Sequence, residues 1–132
     1  MARLADFEDL PEARQEACRR ITRAIRKAPF HMGGHESFDS RMIAALEGKA
    51  LMKTGAEGVY CGWIPDLGLG FAVKSDDGAS RSSEIVTGQL LRRLQVIDDA
   101  KAEELKDLLL QPVLNRAGLE VGQLRAAEKA AF

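Results

Sequence analysis

The chain has 132 residues, which is enough for one domain with a sizeable core. Hydrophobic residues make up 45% and charged residues 30%, a balance typical of globular rather than disordered proteins. The net charge is -1 and no run of about 18 apolar residues is present, so the composition favours neither nucleic-acid binding nor membrane insertion.

The first predicted element is a long helix that begins near Pro11 and ends before Pro29. Proline followed by glutamate suits a first helical turn, and the residue before a proline is disfavoured in a helix. Apolar residues recur at helical spacing along one face, namely Ala17, Ile21, Ala24, Ile25 and Ala28. The opposite face is basic, with Arg14, Arg19, Arg20, Arg23, Arg26 and Lys27. We interpret this face as solvated, because the chain carries no recognised nucleic-acid-binding motif and is slightly acidic.

A glycine-rich loop and a shorter helix follow. The loop is His31-Met32-Gly33-Gly34-His35, and Ser37 or Asp39 is predicted to cap the helix after it. Gly48 is predicted to end this helix. The residues predicted to face inward are Met42, Ile43 and Leu46.

The two cysteines, Cys18 and Cys61, lie far apart in dissimilar sequence contexts. This pattern is typical of reduced thiols, and the acidic N-terminus lacks the apolar segment of a signal peptide, so we predict a cytoplasmic protein. His31 and His35 with either cysteine form a conceivable metal-binding set, but a flexible glycine loop does not fix the geometry of ligands. We therefore interpret the histidines as loop residues and Cys61 as a small core residue.

The middle of the chain is predicted to form two β-strands. In the first, over residues 50–64, Val59, Cys61 and Trp63 alternate with Tyr60, Gly62 and Ile64. After a Pro65-Asp66 turn, Leu67, Leu69, Phe71 and Val73 alternate with Gly68, Gly70 and Ala72 in the second. Two consecutive strands joined by a short turn are antiparallel.

The remaining residues are predicted to form two helices and one strand. The first helix runs from Ser80 or Arg81 to Val96, with a stripe of Val86, Leu90, Leu94 and Ile97 facing inward, widened by Ile85 and Leu91. The second runs from Asp98 or Asp99 to Pro112, and residues 119–126 form the last strand. This order of elements predicts an α+β fold in which an antiparallel sheet of about three strands packs against helices.

Lys53-Thr54-Gly55, placed on a strand, is the candidate chemical motif. Lys-Thr-Gly is one of three signatures of serine β-lactamases and penicillin-binding proteins, with Ser-x-x-Lys and Ser-Asp-Asn. There the lysine places a positive charge beside the nucleophilic serine, and the glycine lets substrate lie against the strand edge. The next amide faces the carbonyl oxygen, where negative charge builds up during acyl transfer. A bare tripeptide is also consistent with a polar beginning of a strand, so the neighbouring residues decide between the two interpretations.

Those neighbours resemble the bacterial L-asparaginase II family of rhizobial-type, thermolabile asparaginases. The most specific blocks are Lys53-Thr54-Gly55-Ala56-Glu57-Gly58-Val59, Leu69-Gly70-Phe71-Ala72-Val73-Lys74 and Asp77-Gly78-Ala79-Ser80-Arg81. Weaker matches extend to Phe38-Asp39-Ser40-Arg41-Met42 and Gln111-Pro112-Val113-Leu114-Asn115. The resemblance implies a fold related to the penicillin-binding proteins, a homodimer, and hydrolysis of the side-chain amide of L-asparagine to aspartate and ammonia. It also implies zinc bound by cysteines in the N-terminal half of the family's fold.

The resemblance assigns roles to five residues. Lys53 is implied to be a catalytic lysine that activates or orients a serine, with Thr54 beside it on the strand edge. Gly55 and the Ala56 amide are implied to contact substrate, the latter as part of an oxyanion hole. Glu57 is implied to contact the ammonium group of the substrate or to brace Lys53.

The sequence also departs from the family pattern, because it contains no Ser-x-x-Lys, Thr-x-x-Lys or Ser-Asp-Asn. We therefore expect residues 1–132 to form a single incomplete domain, the C-terminal portion of a serine β-lactamase/penicillin-binding-protein-like fold. The N-terminal half with the nucleophile and the zinc ligands is expected to lie outside it, so this chain supplies no cofactor site. Two functions remain open: an amidohydrolase completed by an N-terminal half, or a non-catalytic remainder that self-associates or acts as an interaction module.

Overall fold

The computed structural model describes residues 2–127. The N-terminal helices are α1 (Ala2–Ala5), α2 (Glu12–Lys27) and α3 (Phe38–Ala45), and a 3-10 turn, Pro29–Met32, lies between α2 and α3. The predicted bounds of α2 are confirmed, since it begins after one proline and ends before the next. The predicted cap of α3 is also confirmed, because the Ser37 hydroxyl accepts the N–H of Ser40.

A three-stranded antiparallel sheet forms the centre of the molecule. Its strands are β1 (Leu51–Thr54), β2 (Val59–Ile64) and β3 (Leu69–Lys74), in the order β1-β2-β3. The prediction of one strand over residues 50–64 is wrong, because a turn at residues 55–58 divides it into β1 and β2. Glu57 and Gly58 have φ values of 56° and 68° there, and this left-handed conformation reverses the chain.

The strand predicted from Leu67 begins two residues later. Residues Pro65–Leu67 form a 3-10 turn that Gly68 closes with a φ of 61°. Leu67 and Leu69 are 48% and 43% exposed. The bulky face of β3 is only partly buried, and this occurs further along the strand, where Phe71 and Val73 pack against the core.

The next helices are α4 (Ser80–Arg93), α5 (Asp99–Glu104) and α6 (Lys106–Leu109). The predicted single helix after Asp98 is therefore two short ones. Of the residues predicted to face inward, Ile85, Leu91 and Ile97 are buried, while Val86, Leu90 and Leu94 are half-buried. The other buried residues of α4 are Ser83, Thr87 and Gly88, so the buried face is centred on the Ile85 and Leu91 side of the predicted stripe. A Cβ added at Gly88 would meet the side chain of Leu109, so α6 approaches α4 where the side chain is absent.

The described residues end with a hairpin of β4 (Gln111–Leu114) and β5 (Glu120–Leu124). The predicted last strand is confirmed, but its partner was not predicted, because Pro112 indicated the end of a helix. Proline is tolerated in β4 because the strand has a neighbour on one side only. The expected count of about three strands is wrong: residues 2–127 contain five strands in two sheets.

The core lies where the three-stranded sheet meets α3 and α4. The residues that are fully buried there include Met42, Ile43, Leu51, Met52, Trp63 and Leu91. Helices packed on an antiparallel sheet confirm the predicted α+β class. Among residues 2–127, every helix is too short or too polar to cross a bilayer.

Candidate active site

The Lys-Thr-Gly motif lies at an open edge of the three-stranded sheet. Lys53 and Thr54 are the last residues of β1, which has β2 on one side and no strand on the other within the described sheet. Lys53 pairs with Cys61 and Thr54 pairs with Tyr60. Gly55 begins the turn, and its N–H donates to the Val59 carbonyl at 2.7 Å. The motif is thus a strand end followed by a tight reversal.

The Lys53 ammonium is directed along the strand edge by two acceptors. Nζ lies 3.0 Å from the carbonyl oxygen of Thr54 and 3.5 Å from Oδ2 of Asp39. The Lys53 side chain is 38% exposed, whereas that of Asp39 is 0% exposed. The Lys53 side chain is therefore partly exposed, while its carboxylate partner is fully buried.

Asp39 is a site residue to which the sequence interpretation gave no role in the site: it was a possible helix cap and part of a weaker family match. It lies in the first turn of α3, and its Oδ2 also accepts the N–H of Thr54 at 3.3 Å. Its Oδ1 accepts the N–H of Ser40 at 3.1 Å. A signal was present in the sequence: Asp39 precedes the inward residues Met42 and Ile43 by three and four positions, which places it on the same helix face.

The turn between β1 and β2 is anchored by the turn that follows β3. The Ser75 N–H donates to the Gly58 carbonyl at 3.0 Å, and a Cβ at Gly58 would lie 2.8 Å from the Ser75 Cβ. Ala56 and Glu57 are exposed at the tip of the turn. Among the described residues the carboxylate paired with Lys53 is that of Asp39, not Glu57. A substrate-binding role for Gly55, Ala56 and Glu57 stays a prediction.

Tyr60 lies behind the motif, across the sheet register from Thr54. Its ring is 1% exposed and meets the Phe38 ring edge-on at 5.6 Å between centroids. The phenol lies near the Thr54 side chain and the Asp39 backbone. Burial raises the pKa of the phenol well above its usual range, and the charges of Asp39 and Glu84 raise it further, whereas the Thr54 side chain and the Asp39 backbone lower it slightly. The phenol is therefore neutral at physiological pH and ties β2 to both α3 and β1.

The protein is expected to lose stability at alkaline pH through Tyr60. Because the pKa of the phenol is raised in the folded state, its contribution is fully present below about pH 10, where the unfolded phenol ionises. That contribution is lost as pH rises toward the folded pKa, by up to about 1.4 kcal/mol per pH unit. Urea unfolding of the parent and of Tyr60→Phe across this range tests the effect. The variant is expected to show a shallower decline, and equal slopes would contradict this assignment.

The resemblance places the family's zinc site in the N-terminal half of the fold, and the described residues contain no comparable set of ligands. Within residues 2–127, no group of three or more His, Cys, Asp or Glu side chains is arranged to hold a metal ion, and neither Cys18 nor Cys61 forms a disulfide. His31 and His35 both lie against Phe30, with ring centroids 5.4 and 4.2 Å away. The described part of the chain therefore does not fit a zinc ion.

The fold and the site together define an α+β protein with a Lys-Thr-Gly motif at the end of an edge strand. The sequence profile of the L-asparaginase II family matches residues 1–126, so the chain belongs to that family. A search of curated proteins found no match.

Proposed function

We propose that this chain forms part of the active site of an L-asparaginase-like amidohydrolase, which releases ammonia from the side-chain amide of L-asparagine. The observation that carries the proposal is the Lys53 ammonium at the open edge of β1, in a chain that belongs to the L-asparaginase II family. We further propose a penicillin-binding-protein-like fold for the complete enzyme, a cytoplasmic location in a bacterium and a homodimeric state.

The proposed reaction proceeds in two steps. A serine oxygen attacks the amide carbonyl, the C–N bond breaks, and ammonia leaves with the proton from the serine. Water then attacks the ester carbonyl, so that aspartate and the free serine are released. Lys53 orients the serine or stabilises negative charge, and the Ala56 N–H donates to the carbonyl oxygen as it gains charge. Thr54, Gly55 and Glu57 line the substrate at the same strand end.

The serine is proposed to lie in an N-terminal half of the fold, because residues 1–132 contain no Ser-x-x-Lys. Ammonia release from L-asparagine should be measured for the chain alone, for an N-terminal half of a related asparaginase alone, and for their mixture. We expect activity in the mixture only. A mixture that stays inactive while the intact related enzyme works would refute the proposal.

A second candidate function, a non-catalytic module that self-associates, is favoured by the β4–β5 hairpin. Four of its apolar side chains are exposed: Val113 at 38%, Leu114 at 57%, Leu119 at 64% and Val121 at 62%. Exposed apolar surface of this kind often marks a protein–protein contact. Light scattering of the chain, with Val121→Lys as the comparison, tests self-association through the hairpin, and the ammonia assay separates this function from the first. A monomer unaffected by the substitution would count against self-association.

A further inference from the structure

The carboxylate of Asp39 connects the two residues that end β1. One oxygen, Oδ2, contacts both the Lys53 ammonium at 3.5 Å and the Thr54 N–H at 3.3 Å. Asp39 is 0% exposed, so water does not compete for this oxygen. Hydrogen bonds to a buried carboxylate are stronger than those between neutral groups. Asp39 therefore fixes the backbone and the side chain of the motif at the same point.

The other side of the carboxylate is closed by the loop before α3. Oδ1 accepts the Ser40 N–H, and a Cβ added at Gly33 would lie 2.7 Å from Oδ1 and 2.6 Å from the Ser37 hydroxyl. Gly33 is thus packed against Asp39 so closely that any side chain would displace it. With Oδ1 held in this way, Oδ2 is directed toward β1.

The number of N–H donors on Lys53 indicates how many remain for contact with the substrate or the serine. An ammonium group has three N–H donors. Two acceptors within the described residues, the Thr54 carbonyl and Asp39 Oδ2, account for two of them. Among the described residues no acceptor is seen for the third donor, and the side chain as a whole is 38% exposed.

We propose that Asp39 is a positioning residue, which holds Lys53 and the Thr54 amide so that one ammonium N–H faces the substrate or the attacking serine. This inference rests on the proposed amidohydrolase function. In the proposed reaction Lys53 acts as a fixed cationic donor. Its two other N–H groups stay hydrogen-bonded to Asp39 Oδ2 and to the Thr54 carbonyl oxygen.

The activity test compares Asp39→Asn with Asp39→Glu in the complemented mixture. Asparagine keeps the size of the side chain and removes the charge, so we expect kcat to fall by about 10²-fold with a much smaller change in KM. Glutamate restores the charge and should recover part of the rate. The matched control is Asp107→Asn, which removes a carboxylate paired with Arg41 at the surface, 2.6 Å away, and should leave kcat unchanged.

A second readout follows the contacts in the chain alone and does not depend on activity. In NMR spectra, Asp39→Asn should move the Thr54 amide proton upfield and broaden the Lys53 ammonium signal. If Asp39→Asn does not fold, Gly33→Ala replaces it in the test. This substitution displaces the carboxylate without removing it and should move the same signals in the same direction. Signals that stay unchanged in the folded variants, with kcat intact, would overturn the role of Asp39. An unsubstituted mixture without activity would instead refute the proposed function, even where the NMR changes occur.

Discussion

Replacing Lys53 with methionine is expected to lower ammonia release by the complemented mixture by about 10³-fold. Methionine keeps the length of the side chain but has neither a charge nor an N–H to donate. It can therefore neither stabilise the negative charge that develops on the substrate nor orient the serine. Lys53→Arg keeps the charge but spreads the donors over a planar group, and it should restore little of the rate. A methionine variant with the parental rate would remove Lys53 from the mechanism.

The same substitution affects stability, because it leaves the buried Asp39 without its cation. Removal of one partner from a buried ion pair is strongly destabilising. Since the Lys53 end of the pair is 38% exposed, we expect a loss of about 2 kcal/mol in the free energy of unfolding. The double variant Lys53→Met with Asp39→Asn removes both charges and should recover most of this stability but none of the activity. Urea unfolding and the ammonia assay on the same preparations separate the two effects.

Gly62→Ala is expected to destabilise the protein by about 3 kcal/mol through overpacking. Gly62 lies in β2, the central strand, and is paired with Phe71 on β3. A Cβ at this position would lie 2.6 Å from the Phe71 Cζ and would overlap the carbonyl oxygen of Leu51. The ring can move, but the strand backbone cannot move without loss of the register between β1 and β2.

Gly122→Ala is the matched control for this prediction. Gly122 also lies in a strand, but a Cβ there would meet the Val113 Cβ at an ordinary contact distance of 3.8 Å. We expect a change within about 0.5 kcal/mol, because the site is exposed and unstrained. Equal losses for the two variants would show that Gly62 is not closely packed.

The helices near the N-terminus could be predicted because their ends carry local signals. Two prolines delimit α2, and the Ser37 side chain caps α3 within its own first turn. The turn at residues 55–58 could not be predicted in the same way. The turn requires a left-handed φ at Glu57, and glutamate is not a residue type that indicates such a turn. The turn is also held in place by tertiary contacts of Gly58 with Ser75 and Ala79.

The candidate site shows the same division between local and tertiary information. Lys53 and Thr54 were predicted from a motif, and the structure places both at the end of an edge strand. Asp39 was missed because its partner lies 14 residues away, on an element of a different type. The spacing of Asp39 to Met42 and Ile43 is consistent with the inward face of α3. The sequence alone, however, does not show which cation would pair with a buried carboxylate at this position.

The contacts that build the site span short distances along the chain. The Asp39–Lys53 and Asp39–Thr54 contacts close segments of 14 and 15 residues, and the Gly33 contact with Asp39 is shorter still. Short loops cost little entropy to close and are associated with fast folding. We therefore expect the carboxylate and the strand edge to assemble early in folding, before the β4–β5 hairpin pairs. In pulse-labelling hydrogen exchange, the Thr54 amide should be protected before those of Val113 and Val121.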